Sequence, residues 1–309
     1  MRKYFCLTFL LLFSYQLKAE KTIDNVYSQE IFESGYISFI DKDFKNLTVI
    51  KELKNLNTEN KFLFIYTPGS LNDDRKDIIC STYNEFAYLN EIFFQINQIN
   101  KSYFYLNCTN LIEGDMLIPN GSNFPYIYQG DSKHEKIRTE LLKLIDNFNK
   151  LGFNNEKIFL VGHSCGAWHS LLLGSLHPDK INSVIAFSPS CYGPRYLYFQ
   201  RRAFLKYRQN DKNTMRKNKY LSSLVFVSPN DPRENYLTLK WLKRIKGLKL
   251  IKTMERKNNF YYLNDQICKF HSELDVKEEP IFDGHNLHFS KCFDYYSEDI
   301  IEFLKAKFN

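Results

Sequence analysis

"KIFLVGHSCGAW", residues 157–168, is the stretch on which the reading of the whole chain turns. Ile158, Phe159, Leu160 and Val161 form a continuous apolar run of the kind buried on both faces of a parallel sheet. Gly162-His163-Ser164-Cys165-Gly166 interrupts that run. A second apolar stretch of helical length follows, and His177-Pro178 stops it. Two glycines around one serine at a strand-to-helix junction predict a turn too tight for β-carbons, with the serine exposed at its apex. The helix after the turn aims its free N–H groups and the positive end of its dipole at that apex.

Strands and helices alternate on both sides of this stretch. Upstream, Tyr36–Ile40 and Leu47–Leu53 are predicted as short strands around an Asp-Lys-Asp turn, and "KFLFIYTPGS" (61–70) as a central strand. Residues 82–99 carry Phe86, Leu89, Phe93 and Ile96 at helical spacing. Residues 102–108 form a further strand, and 134–152 an amphipathic helix ending on Gly152. Downstream come strands at 181–190 and 222–228, a helix at 234–246 capped by Gly247, a strand at 248–254 and a final helix, Phe289–Phe308. This pattern predicts an α/β fold: one domain over residues 20–309, with a mainly parallel central sheet covered by helices on both faces. Residues 190–220 fall between two strands and are predicted to form a lid-like insertion.

Composition narrows the class. A 309-residue chain with 44% hydrophobic and 25% charged residues is long enough to bury a large core. The formal net charge of +7 is modest, so no nucleic-acid partner is expected. Residues 1–19 have a basic start (Arg2, Lys3), an apolar middle and Ala19 at the end, which predicts a signal peptide and a secreted or periplasmic protein. Cys6 lies in that segment. Cys80, Cys108, Cys165, Cys191, Cys268 and Cys292 remain, an even set that predicts disulfides in an oxidising compartment, and their spacing matches no zinc ligand pattern. Asn46, Asn107 and Asn120 head glycosylation sequons.

Strand, Gly162-x-Ser164-x-Gly166 and apolar helix together resemble the nucleophile elbow of the α/β-hydrolase fold superfamily, which includes serine esterases, lipases and dienelactone-hydrolase-like enzymes. A serine hydroxyl needs a base in hydrogen-bond reach and a carboxylate to orient that base, and the superfamily supplies them in the order Ser, acid, His. The resemblance implies Ser164 as nucleophile. "LVFVSPNDP" places Asp231 just past a buried strand as the acid; the alternative is an aspartate closing a turn before Pro232. "FDGHNLHFS" offers His285, after the flexible Gly284, as the base, with His288 as the alternative. His163 is expected to point away from the turn. His134, His169, His177 and His271 are expected to be structural or exposed. The resemblance further implies an oxyanion site built from the backbone N–H of Cys165 and from "TPGS" (67–70), with Gly69 and Ser70 in place of the His-Gly common in relatives. No metal and no organic cofactor is implied.

The implied reaction is hydrolysis of a carboxylic ester through an acyl-enzyme. The same intermediate serves a peptidase or an acyltransferase, and a non-catalytic binding protein of the same fold is the reading from another class. Residues 191–220 carry nine Lys/Arg against one acidic residue, Asp211. They are read as a basic lid for an anionic or glycan-linked ester substrate, or for an envelope surface. The alternative is an amphipathic helix with a solvated basic face, since Tyr196, Phe199, Ala203 and Tyr207 fall at helical spacing. Cys165 and Cys191 both follow neighbouring strands and are expected to pair, with Cys80–Cys108 and Cys268–Cys292 completing the set.

Overall fold

A computed structural model describes residues 35–39, 48–49, 56–69, 102–107, 116–117, 127–128, 131–193, 195, 202–257, 260–263, 266–269, 284–285, 287–289 and 291–308. Its elements in chain order are β1 (Gly35–Phe39), β2 (Thr48–Val49), β3 (Phe62–Thr67), β4 (Ser102–Asn107), β5 (Met116–Leu117), β6 (Ile127–Tyr128) and α1 (Asp131–Lys150). There follow β7 (Ile158–His163), α2 (Ser164–Leu176), β8 (Ser183–Phe187), α3 (Arg202–Lys217), β9 (Tyr220–Val227) and α4 (Tyr236–Leu239). The last are β10 (Lys246–Lys252), β11 (Glu255–Lys257), β12 (Phe260–Leu263), β13 (Gln266–Lys269) and α5 (Ser297–Phe308). One sheet runs in the order β10-β9-β8-β7-β3-β4-β1-β2. The strands from β10 to β4 are all parallel, and β1 and β2 extend the sheet antiparallel at one edge.

The apolar runs explain the centre of this sheet. Every residue of β3, β4 and β7 is buried, which requires cover on both faces. On one face Leu63, Ile65 and Leu160 pack with Leu141, Ile145 and Phe148 of α1 and with Trp168 and Leu172 of α2. On the other, the Phe64 ring stacks on Phe104 at 5.0 Å and on Phe159 at 4.9 Å. Phe293, Tyr296, Ile300 and Leu304 close that second face from the C-terminal segment. Gly152, with φ +101°, follows α1 where the sequence places its cap.

α3 occupies most of the segment expected to form a lid; residues 194 and 196–201 lie outside the described residues. Because β8 and β9 are parallel neighbours, their connection has to cross over the sheet, and α3 is that crossover. It is fastened to α2. Trp168 Nε1 donates to Asp211 Oδ2 at 2.8 Å, the Tyr192 hydroxyl donates to the same oxygen, and Asn218 Nδ2 donates to Ser175 Oγ at 3.1 Å. The one acidic residue of this basic stretch therefore faces inward. Asp211→Ala strands two donors at the α2–α3 contact and is expected to cost about 2 kcal/mol, read as a lower denaturant midpoint at unchanged slope.

Two elements differ from the sequence reading. The helix expected over 234–246 is instead α4 followed by a 3-10 segment, Lys240–Arg244. Leu239, Leu242 and Ile245 are buried at a spacing of three, the period of a 3-10 helix, and Asn235 Oδ1 caps α4 by accepting from Thr238 N at 3.0 Å. Gly247 is not a helix cap: it lies in β10 with φ +80°, where the register against β9 shifts. The final helix begins only at Ser297, after 3-10 turns at Leu287–Phe289 and Lys291–Tyr296. The antiparallel sheet β11–β12–β13 lies beyond the elements that the sequence pattern predicts. Residues 1–19, the helix expected at 82–99, Cys80 and Cys108 lie outside the described residues. Among the described residues no helix is long and apolar enough to cross a membrane.

Candidate active site

β7 ends at His163 and α2 begins at Ser164, with no residue between them. Ser164 has φ +51°, a left-handed conformation that side chains rarely adopt and that holds its hydroxyl at the apex of the turn. Packing enforces that conformation. A β-carbon on Gly166 would fall well inside contact distance of the Thr67 and Pro68 carbonyl oxygens, and one on Gly162 would lie 2.6 Å from the Ala167 nitrogen. The first turn of α2 thus rests directly on the end of β3. Gly69 closes the other side: a β-carbon there would lie 2.9 Å from Ser164 Cβ and 3.5 Å from its Oγ. Ser70 lies outside the described residues.

Asp231 follows the end of β9 and is fully buried. Its Oδ1 accepts from the Arg233 backbone N–H at 2.8 Å, and its Oδ2 stands 2.6 Å from His285 Nδ1. The turn aspartate and the histidine-orienting carboxylate are therefore one residue using two oxygens. Arg195 secures this loop from outside by donating to the Asp231 carbonyl at 3.0 Å and the Pro232 carbonyl at 3.3 Å. Arg208 of α3 pairs through two nitrogens with the buried carboxylate of Glu234.

His285 arrives from the far end of the chain on a turn begun by Gly284 at φ +79°. Its Nε2 lies 3.0 Å from Ser164 Oγ. With Nδ1–H donated to Asp231, Nε2 presents its lone pair to the serine hydroxyl. Ser164 Oγ is also 3.3 Å from the Ser190 carbonyl, and the Ser190 N–H donates to the Ser164 carbonyl at 3.0 Å. Ser164, His285 and Asp231 are thus joined in one buried chain of hydrogen bonds. His288 sits elsewhere: its ring stacks on Phe187, with centroids 5.1 Å apart.

His163 does not point away from the site. Its Nε2 lies 3.3 Å from the His285 carbonyl, and its ring is 4.9 Å from that of His285 and 4.2 Å from that of His288. The reason is strand alternation. Phe159 and Val161 face the layer that holds Leu287 and Phe293, and His163, two residues on in extended backbone, faces the same way. The period-two pattern of β7 carried that signal.

Burial, followed by the neighbouring His288 and His285, holds the His163 imidazole well below its ordinary pKa of 6.5. Burial and then His285 do the same to His288. The unfolded chain binds protons here from about pH 6.5 downward, whereas the folded chain resists them. Stability is therefore expected to be flat above that pH and to fall as the pH drops below it, with a slope approaching two protons. Denaturant titrations at pH 7 and pH 5 measure the loss, and His163→Gln is expected to remove about one proton from the slope.

Cys165 and Cys191 meet behind the elbow, sulfur against sulfur, with Cα atoms 4.1 Å apart. His169, one turn along α2 from Cys165, places Nε2 3.6 Å from Cys191 Sγ. Asn107 is buried and donates to Thr67 Oγ1 at 3.4 Å, so in the folded protein this sequon is closed to a glycan.

The family model for the α/β hydrolase fold matches residues 120–266, a span that contains the elbow, α3 and Asp231. Among solved structures the chain is similar to Est1E from Butyrivibrio proteoclasticus, at 14% identity and a TM-score of 0.49 over 88% of this chain and 93% of that one. It is similar to a phospholipase/carboxylesterase from Dyadobacter fermentans, at 12% identity and a TM-score of 0.40 over 71% of this chain and 86% of that one. A predicted CIB-like hydrolase from Thermoplasma acidophilum gives 12% and 0.42 over 88% of this chain and 99% of that one. Likenesses this distant say nothing about substrate. No curated protein matches the chain significantly.

Proposed function

We propose that this chain, which has the α/β-hydrolase fold and matches its family model over residues 120–266, is an exported serine hydrolase that cleaves carboxylic esters. The observation that carries this reading is the chain Ser164 Oγ–His285 Nε2 at 3.0 Å and His285 Nδ1–Asp231 Oδ2 at 2.6 Å, set at the carboxyl ends of parallel strands. Ser164 Oγ attacks the ester carbonyl while its proton passes to His285 Nε2. Asp231 holds the imidazolium that forms. The oxyanion takes a backbone N–H donor from Cys165, at the start of α2, and the second is assigned to the Gly69 side of the site. His285 then hands its proton to the departing alkoxide, leaving an acyl-Ser164. In the second half His285 takes a proton from water, the hydroxide attacks the acyl carbon, and Ser164 leaves with that proton.

Export follows from the leader-like residues 1–19. We read Cys165 and Cys191 as disulfide-bonded in the exported protein, clamping the elbow to the segment after β8. The test is labelling of the purified chain with a fluorophosphonate, which requires an activated serine, followed by short- and long-chain acyl esters. One equivalent of label on Ser164 with ester turnover is the expected result. A folded protein that takes up no label overturns the reading, and labelling without ester turnover redirects it to peptide or acyl-transfer substrates.

A further inference from the structure

Cys165, His169 and Cys191 converge on one buried point behind the nucleophile. Cys165 and His169 are four residues apart on α2, so their side chains stand one above the other on one face. Cys191 reaches the same point from the segment after β8, the strand next to β7. One donor atom from each residue lies within 4.8 Å of the other two. Cys165 is 3% exposed and His169 fully buried. The separation of His169 Nε2 from Cys191 Sγ, 3.6 Å, is that of two ligands on one tetrahedral ion, since metal–sulfur and metal–nitrogen bonds of about 2.3 and 2.0 Å put those atoms roughly 3.5 Å apart.

We propose that, with both cysteines reduced, Cys165, Cys191 and His169 form a binding site for a thiophilic divalent ion of the zinc type. Freed from each other, the sulfurs part to about 3.8 Å, the spacing such an ion sets between two thiolates. Each thiol gives up one proton as it binds, so the dication and two thiolates make a neutral unit, the form a buried site tolerates. Neutral His169 supplies the third bond through Nε2, and a water completes the tetrahedron. The donor set of two soft sulfurs and one imidazole selects zinc over magnesium or calcium, which take oxygen. Disulfide and ion use the same sulfurs and exclude each other. Opening the disulfide takes two electrons and two protons, which a phosphine supplies with water as it becomes the phosphine oxide. Either state ties the first turn of α2 to the segment whose Ser190 bonds Ser164.

The test does not depend on ester hydrolysis. The purified chain is reduced with a phosphine, freed of metal and titrated anaerobically with Co2+. The expected result is one ion per chain, with sulfur-to-cobalt charge-transfer absorption and the intense visible bands of a tetrahedral site, displaced by Zn2+. His169→Ala is expected to weaken binding by at least the roughly 10–100-fold that loss of a supporting residue alone costs, with its far-UV spectrum unchanged. X-ray absorption on the zinc-loaded wild type is expected to count two sulfurs and an imidazole nitrogen, and it decides the matter even if the variant fails to fold. A reduced wild type that takes up no Co2+, a shell of four sulfurs, or a folded His169→Ala variant with unchanged affinity overturns the proposal.

Discussion

Ser164→Ala is expected to lower kcat on a responsive acyl ester by about a million-fold while leaving the fold intact. The size follows from the geometry. Ser164 Oγ is the atom that His285 Nε2 meets, at 3.0 Å. Alanine removes that hydroxyl and adds no bulk, so the left-handed backbone at φ +51° is burdened no further. His285→Ala is expected to cost nearly as much, and the double variant no more than either single one, because the three groups act as a unit. Asp231→Asn keeps the buried volume but favours the wrong imidazole tautomer, and a loss of roughly ten-thousand-fold is expected. Steady-state kinetics beside circular dichroism measure all four. Ser164→Ala activity within about tenfold of wild type would refute the proposed nucleophile.

Gly166→Ala is expected to destabilise the protein by about 4 kcal/mol or more, with a drop in Tm of roughly 10 °C. The added carbon meets the backbone oxygens of Thr67 and Pro68. These sit at the end of β3, a strand paired on both sides, and cannot move alone. Gly174→Ala is the control within the same helix. Its β-carbon would meet the tips of Val184, Ile181 and Leu221 at 3.0–3.1 Å, which can adjust, and alanine improves helix propensity, so a change within about 1 kcal/mol is expected. Thermal and denaturant unfolding separate the two. Equal losses would show that the elbow tolerates backbone movement and that its close packing does not hold the serine in place.

Much of this was legible in the chain because the informative features are local. A continuous apolar run announces a strand buried on both faces, and glycine at the second residue either side of a serine announces a turn without room for β-carbons. Asp231 and His285 could be singled out because each follows a recognisable signal, the end of a buried strand or a flexible glycine. What sequence did not yield depends on partners distant in the chain. His163 faces the site because the alternation through Phe159 and Val161 sets its side, a signal masked by its place in the turn beside Ser164. The 3-10 segment after α4 hid within a plausible helix because leucines three apart fit both periods for one turn. Cys165 and His169 were visible as a four-residue pair, but Cys191 joins them only once β8 lies beside β7.

The hydrogen-bonded chain at the site spans 121 residues, from Ser164 to His285, with Asp231 contributed from between. Synthesis delivers these segments one after another, and the N-terminal part of a chain can organise while the rest is still emerging. A nascent protein that has already formed its elbow therefore holds an ordinary, unreactive hydroxyl. Asp231 alone does not change this, because it reaches the serine only through the imidazole. On the proposed mechanism, reactivity begins only when His285 reaches Ser164 at the end of the sheet. On that mechanism, the machinery that makes the chain is thereby spared a reactive serine.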